Sequence, residues 1–300
     1  CLVAGSLARA RGDARAPAIV MVVTSLMNAV LDPILIFGIE GWVPAMGFEG
    51  AAWATLFSRT VAGLWTVLLL VFRYRLLSDR IPTLAHFWID SKEICRLGFP
   101  ATMVQLIFPM GQACLLKLLA VFPVAVVAAF GMAMQVEAFG FIVLMSLGII
   151  LGPFVGQNIG ANSTSRVLRS VDLSLAFNLF NGTALAVVFW VFGEPILSCF
   201  HDDPEVVDNM VMIMHWLSLS WVLEGVRILA APVFTNLGSS VPPMVIVTIR
   251  FFVIALPLAW WLREVWGFDG VVFSLALGNV VAGVLSYVWL KRALPPAPNQ

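Results

Sequence analysis

The chain has 300 residues, of which 61% are apolar and only 11% charged, and its mean hydropathy is +0.97. A soluble domain of this length would need far more charged surface, so the sequence predicts an all-α integral membrane protein. Seventeen basic residues balance seventeen acidic ones, and no partner of nucleic acid is expected.

Eight apolar spans of the length a bilayer demands can be placed in order, at 17–39, 47–72, 97–122, 125–156, 168–193, 207–233, 242–262 and 268–290. Every second loop is basic: Arg9, Arg11 and Arg15 precede the first span, Arg73, Arg75, Arg80, Lys92 and Arg96 follow the second, Arg166 and Arg169 follow the fourth, and Lys291 and Arg292 end the eighth. The intervening loops carry Glu40 and Glu49, then Glu194, Asp202, Asp203, Glu205 and Asp208, then Glu264 and Asp269, with Arg263 the exception. Lys and Arg stay on the cytoplasmic side of short loops, so both termini are expected in the cytoplasm.

A unit near the start recurs near the end. Gly47-Phe48-Glu49-Gly50 opens a 17-residue run closing in Val61-Ala62-Gly63, and Gly267-Phe268-Asp269-Gly270 opens one closing in Val281-Ala282-Gly283; six of the 17 positions are identical. Upstream, Gly12 followed by Pro17 is echoed by Gly238 followed by Pro243. Spans one and two therefore match spans seven and eight in sequence and direction, the mark of a parallel repeat in a transporter. Four helices precede the matching pair in the second copy, so a complete first copy needs four more, and the chain is expected to be N-terminally truncated. The organisation read from this is 1–72 as the last two helices of a first six-helix lobe, 73–96 as a cytoplasmic connector with Pro82 and His86, 97–292 as a complete second lobe, and 293–300 as a tail.

Taken together, Arg11-Gly12-Asp13-Ala14-Arg15-Ala16-Pro17, Asn28 through Leu31-Asp32-Pro33 to Phe37-Gly38, Gly50-Ala51-Ala52-Trp53-Ala54-Thr55, Gly98-Phe99-Pro100 and Val155-Gly156-Gln157-Asn158-Ile159-Gly160-Ala161 resemble the MATE family, the multidrug and toxic compound extrusion transporters, along essentially the whole chain. The resemblance implies two six-helix lobes around a central cleft and export of organic cations or other amphipathic compounds in exchange for Na⁺ or H⁺. It implies a multi-pass protein of a bacterial inner membrane, contacting lipid and small-molecule cargo, and a monomer. The first span here corresponds to the family's fifth.

Asn28 and Asp32 are four apart and share a helix face, where both can meet one small cation. An intramembrane acid is functional by default, and Pro33 frees a carbonyl near residue 29. Thr55 lies at similar depth on the second span, and the resemblance makes Asn28, Asp32 and Thr55 part of a first-lobe cation site. The structural alternative pairs Asp32 with Arg59. Glu137, mid-span, carries a proton or attracts substrate with Gln112 and Gln135, or is merely satisfied by those amides or by Lys117. Members resembling NorM carry an acid about ten positions after the glycine of Gly98-Phe99-Pro100; here that place is near Phe108 with no acid close, which favours a DinF-like arrangement. Glu224 and Arg227 should pair with each other, Asp172 should complement the start of its helix, and Arg250 should snorkel to the inner headgroups. His215 should pack or hydrogen-bond. The Gly156–Gly160 run should end a helix, and Pro109 and Pro257 should kink theirs.

Cys1, Cys95, Cys114 and Cys199 have neither metal-type spacing nor the pattern of a disulfide framework, and no phosphate loop or nucleophile elbow is present. The sequence thus predicts no enzyme, no metal beyond Na⁺ at Asp32, and no cofactor other than the coupling ion. A lipid-linked oligosaccharide flippase would share the expected architecture but need a basic cavity; from a different class, a non-transporting membrane scaffold or an inactive truncated membrane fragment also fits the sequence.

Overall fold

The computed structural model describes residues 2–39, 42–75 and 83–296. Glu40, Arg80, Pro82 and Cys1 lie outside the described residues, as does much of the expected connector and the end of the tail. Among the described residues there is helix and no strand beyond an isolated bridge between Ile39 and Val43. The chain divides into two compact units, with the boundary in sequence between Phe87 and Trp88.

The first unit opens with a short helix that the hydropathy pattern does not announce, α1 (Leu2–Ala10), followed by α2 (Arg15–Phe37) and α3 (Phe48–Leu68), which continues as a π-helical turn, Leu69–Arg73. α2 and α3 form an antiparallel hairpin. Gly47 takes φ 57°, ψ −131° at its apex, and the Met46 and Gly47 amides donate to the Leu35 and Ile36 carbonyls at 3.0 and 3.1 Å. A Cβ on Gly50 would collide with the Leu35 carbonyl, so only glycine lets the two backbones approach there.

The Arg11-to-Pro17 motif closes the other end of this hairpin. Gly12 turns the chain with φ 86°, and Asp13 Oδ1 accepts the Arg15 and Ala16 amides at 3.1 Å, capping α2. Asp13 Oδ2 accepts the Arg73 guanidinium and the Tyr74 hydroxyl, each at 2.8 Å, while Arg11 donates to the Tyr74 carbonyl at 3.0 Å. One aspartate thus ties the start of α2 to the end of α3.

The second unit contains most of α4 (Leu84–Leu119), then α5 (Val124–Gly160), α6 (Thr164–Leu197), α7 (Pro204–Ser218), α8 (Trp221–Asn236), α9 (Val241–Thr248), a π-helical stretch Ile249–Ala255, and α10 (Leu256–Ala293). The described part of the expected 73–96 connector is helix from Leu84 onward. α7 and α8, expected as one span, meet at a 63° bend. α9 to α10 runs 53 residues, far beyond the ~20 that cross a bilayer. It breaks at Gly267 (φ 61°, ψ −136°), and beyond the break the chain folds back, since a Cβ on Gly270 would lie 2.6 Å from the Leu262 carbonyl and one on Gly278 3.1 Å from that of Arg250. Among the described residues, six helices, or seven counting the bent pair, are long and apolar enough to cross a membrane.

The duplicated motif is therefore duplicated in backbone geometry: Gly47 and Gly267 share one conformation, and Gly12 (φ 86°) matches Gly238 (φ 87°). At Gly267 an L-residue is strained by about 1–3 kcal/mol, so Gly267→Ala should lower the thermal midpoint in detergent by several degrees. Gly63→Ala, at a helical position with open space, should leave it unchanged or raise it. A second outcome follows from Asp13, whose carboxyl the Ala16 amide, the Tyr74 hydroxyl and the Arg73 guanidinium hold below the usual carboxylate range. A depressed folded-state value stabilises above the unfolded value and is lost on acidification. The gap in thermal midpoint between wild type and Asp13→Asn should therefore narrow as pH falls below about 4.

Candidate functional site

In the first unit the helical spacing of Asn28 and Asp32 brings their side chains together: Asn28 Nδ2 donates to Asp32 Oδ1 at 3.3 Å. Both are half-buried. Pro33 follows inside the helix, and its missing N–H removes the donor that the Ala29 carbonyl would otherwise use. A carboxylate, an amide oxygen and a freed carbonyl are hard oxygen donors suited to H⁺ or Na⁺. Among the described residues Asp32 makes no ion pair, with Arg59 or any other cation. The Gly50–Leu35 approach sets Thr55 about level with Asn28 and Asp32 along the hairpin, but it makes no hydrogen bond to either. One residue on α3 escaped the sequence reading: Ser58, one turn beyond Thr55, is buried and its hydroxyl has no partner. A serine in an apolar helix carries no signal of its own.

The second unit holds a charged cluster centred on the first turns of α8. Trp221 Nε1 donates to Glu137 Oε1 on α5 at 2.8 Å, and its indole is wedged edge-on between Phe141 and Phe189 at 6.1 and 5.3 Å between ring centres. Glu137 thus meets an indole 84 residues away and makes no hydrogen bond with Gln112, Gln135 or Lys117. Gln135 and Lys117 are exposed.

Glu224 is gripped by Arg227 through both guanidinium nitrogens Nε (2.9 Å) and Nη2, as the three-residue spacing predicts. It also receives Arg250 from the π-helical stretch, Nη1 to Oε1 at 3.2 Å. Arg250 does not snorkel: its side chain is 9% exposed and its guanidinium lies 4.8 Å from the Phe251 ring centre and 5.9 Å from that of Phe108. A buried carboxylate at Glu224 offers more than the distant headgroups do.

Side-chain amides complete this region because hydrocarbon offers backbone groups no water. Asn178 on α6 donates to the Val222 carbonyl at 2.8 Å, and Asn279 on α10 donates to Ser220 Oγ at 3.0 Å, both beside the α7–α8 bend. Gly225 and Gly283 admit these neighbours, since a Cβ at either would strike Asn178 Oδ1 or the Leu223 carbonyl.

Other expectations are adjusted by the same contacts. Asp172 lies two turns inside α6 and is bound by Lys291 Nζ at 2.9 Å, an exposed pair of small energetic value. His215 stacks on Trp190, 4.5 Å between ring centres. α5 does end at Gly160 and Asn158 Nδ2 bonds the Phe154 carbonyl at 2.8 Å, but the reversal is made by Asn162 (φ 54°). Gly152 and Gly156 serve instead to admit Asn236 of α8. Among the described residues no His, Cys, Asp and Glu grouping could hold a metal ion.

Removing one partner from a buried ion pair costs about 3–5 kcal/mol. Glu224→Gln, which leaves Arg227 and Arg250 facing each other, should therefore sharply lower the thermal midpoint or the yield of folded protein. Glu224→Gln combined with Arg250→Met should recover a large part of that loss, measured by fluorescence-detected size exclusion after heating.

The MatE family profile matches residues 100–261. The chain is 32% identical over 288 residues to the FAD transporter of Shewanella oneidensis, covering 96% of this chain and 64% of that protein. It is 27% identical over 290 residues to the probable multidrug resistance protein NorM of Thermotoga maritima, covering 96% and 60%. The chain thus spans 60–64% of the length of these two curated relatives. The crystal structure of the Vibrio cholerae MATE transporter VcmN in the bent form superposes with a TM-score of 0.86 at 26% identity, over 97% of this chain and 65% of that one. With over half its length matched by the profile and nearly all of it by the fold, the chain belongs to the MatE family.

Proposed function

We propose that Asp32 is the ion-coupling group of a secondary active antiporter that exports organic cations, drugs or other amphipathic compounds in exchange for H⁺ or Na⁺, with Asn28 and Thr55 as its neighbours. The observation that carries this reading is an aspartate inside an apolar helix whose described polar partner is the amide of Asn28. A charged side chain at the centre of a membrane helix costs about 2.5–3.5 kcal/mol on insertion scales, and a bound proton or sodium ion offsets it. Occupancy therefore biases how the proline-bearing α2 packs, and cargo and ion weaken each other's binding reciprocally. The relatives named multidrug resistance protein support the cargo class.

In this reading the chain makes eight crossings, because the bent α7–α8 pair and the two arms either side of Gly267 each count separately from their neighbours. The first two belong to one lobe and the last six to another, with both termini in the cytoplasm of a bacterial cell. The coupling arrangement is DinF-like, with the second unit's Glu137 held by Trp221. A flippase is not favoured: it would need a basic cavity, and the buried Arg227 and Arg250 are engaged by Glu224. A second reading of the cargo, a flat dinucleotide anion, rests on the 32% identity to the FAD transporter of Shewanella oneidensis.

The test is efflux from vesicles carrying the transporter, with a lipophilic dye cation and FAD as separate cargoes and Na⁺ and H⁺ gradients imposed separately. Asp32→Asn should reduce gradient-driven efflux at least tenfold while leaving insertion and monodispersity intact. Undiminished efflux in that variant refutes the assignment.

A further inference from the structure

One face of α7 carries Asp208, Met212, His215 and Trp216, and Leu219 follows directly after its last residue. With Trp190 of α6 they line a cavity of about 390 Å³, within the range of pockets that hold drug-sized molecules. Both indoles are fixed by their N–H groups. Trp190 Nε1 is 2.9 Å from Ser218 Oγ, whose hydroxyl donates to the His215 carbonyl at 2.9 Å, and the ring stacks on His215. Trp216 Nε1 is 3.3 Å from Asp269 Oδ1, and its ring meets Phe273 edge-on at 5.5 Å. With their donors used, the indoles offer the cavity only apolar edge and π surface, which attracts cations.

The electrostatics agree. Asp208 makes no ion pair among the described residues. From Ser170 to Val226 the sequence contains no Lys or Arg, while Glu194, Asp202, Asp203, Glu205 and Asp208 cluster around the α6–α7 connection. Asp208 also borders the neighbouring cavity with Glu194, His201 and Asp202. Arg263, the basic residue of the α10 arm before Gly267, is bound to Glu264 at 3.1 Å, so the excess charge here is acidic and concentrates cations.

We propose that this cavity of the second unit is a binding site for organic cations with an aromatic or bulky apolar body, held by the Trp190 and Trp216 rings with Asp208 as counter-charge. It uses none of Asn28, Asp32, Thr55 or Glu137, and does not depend on which ion drives transport.

The experiment replaces the tryptophans by 5-fluorotryptophan and follows ¹⁹F resonances of the purified protein in uncharged maltoside micelles, with Trp190→Phe identifying the Trp190 signal. Tetraphenylphosphonium should shift that signal saturably, whereas tetraphenylborate, its anionic counterpart in shape, should not. Asp208→Asn, at an exposed position that leaves the fold intact, should raise the half-saturating concentration about fivefold, the scale of a partly exposed charge pair. Asp32→Asn should leave the titration unchanged, so failure here and failure of the coupling assignment are separable. The proposal is overturned by a Trp190 signal that stays still while other signals move, or by an equal response to the borate. Displacement of the phosphonium by short-chain phosphatidylcholine would likewise overturn it, making the cavity a lipid site.

Discussion

Hydrocarbon cannot hydrogen-bond, and most of this structure follows from that constraint. Where the backbone departs from regular helix, a side chain or a glycine-enabled close approach stands beside it: Asp13 caps α2, Asn178 and Asn279 bond next to the α7–α8 bend, and Gly47 and Gly267 allow reversals whose flanking strands of helix touch backbone to backbone. Charge obeys the same rule. Glu224 is held by guanidiniums from two segments, and Glu137 by an indole. Asp32 differs in that, among the described residues, its polar partner is the amide of Asn28.

The repeat and the helical class were legible in the sequence because both are local signals. Six identities in 17 positions correspond to a shared backbone conformation at Gly47 and Gly267, since an L-residue is disfavoured there and the glycine marks the turn. The Asn28–Asp32 contact was legible for a similar reason: four residues on a helix is one turn. Hydropathy, by contrast, reports span length and not continuity. It gave a single span where α7 and α8 bend by 63°, and a connector where α4 is already helical from Leu84.

Long-range partners were not legible. Trp221 and Glu137 are 84 residues apart, and nothing in either neighbourhood names the other. Arg250 was read as an interfacial cation because its position near a span end permits snorkelling, whereas the deciding fact, a buried Glu224 within reach, belongs to another helix. Ser58 and the aromatic cavity on α7 were missed for the same reason: serines and tryptophans in apolar spans are common, and only packing distinguishes a lined cavity from an interfacial belt.

As the proposed coupling group, the Asp32 carboxyl should exchange a proton or sodium ion when cargo binds. Infrared difference spectroscopy of the reconstituted transporter, with and without saturating cargo, reads that exchange directly in the carboxyl stretching region. The account predicts a carboxyl band that changes on cargo addition, moves with proton or sodium concentration, and is missing from Asp32→Asn. A cargo-induced spectrum identical in wild type and Asp32→Asn would contradict it.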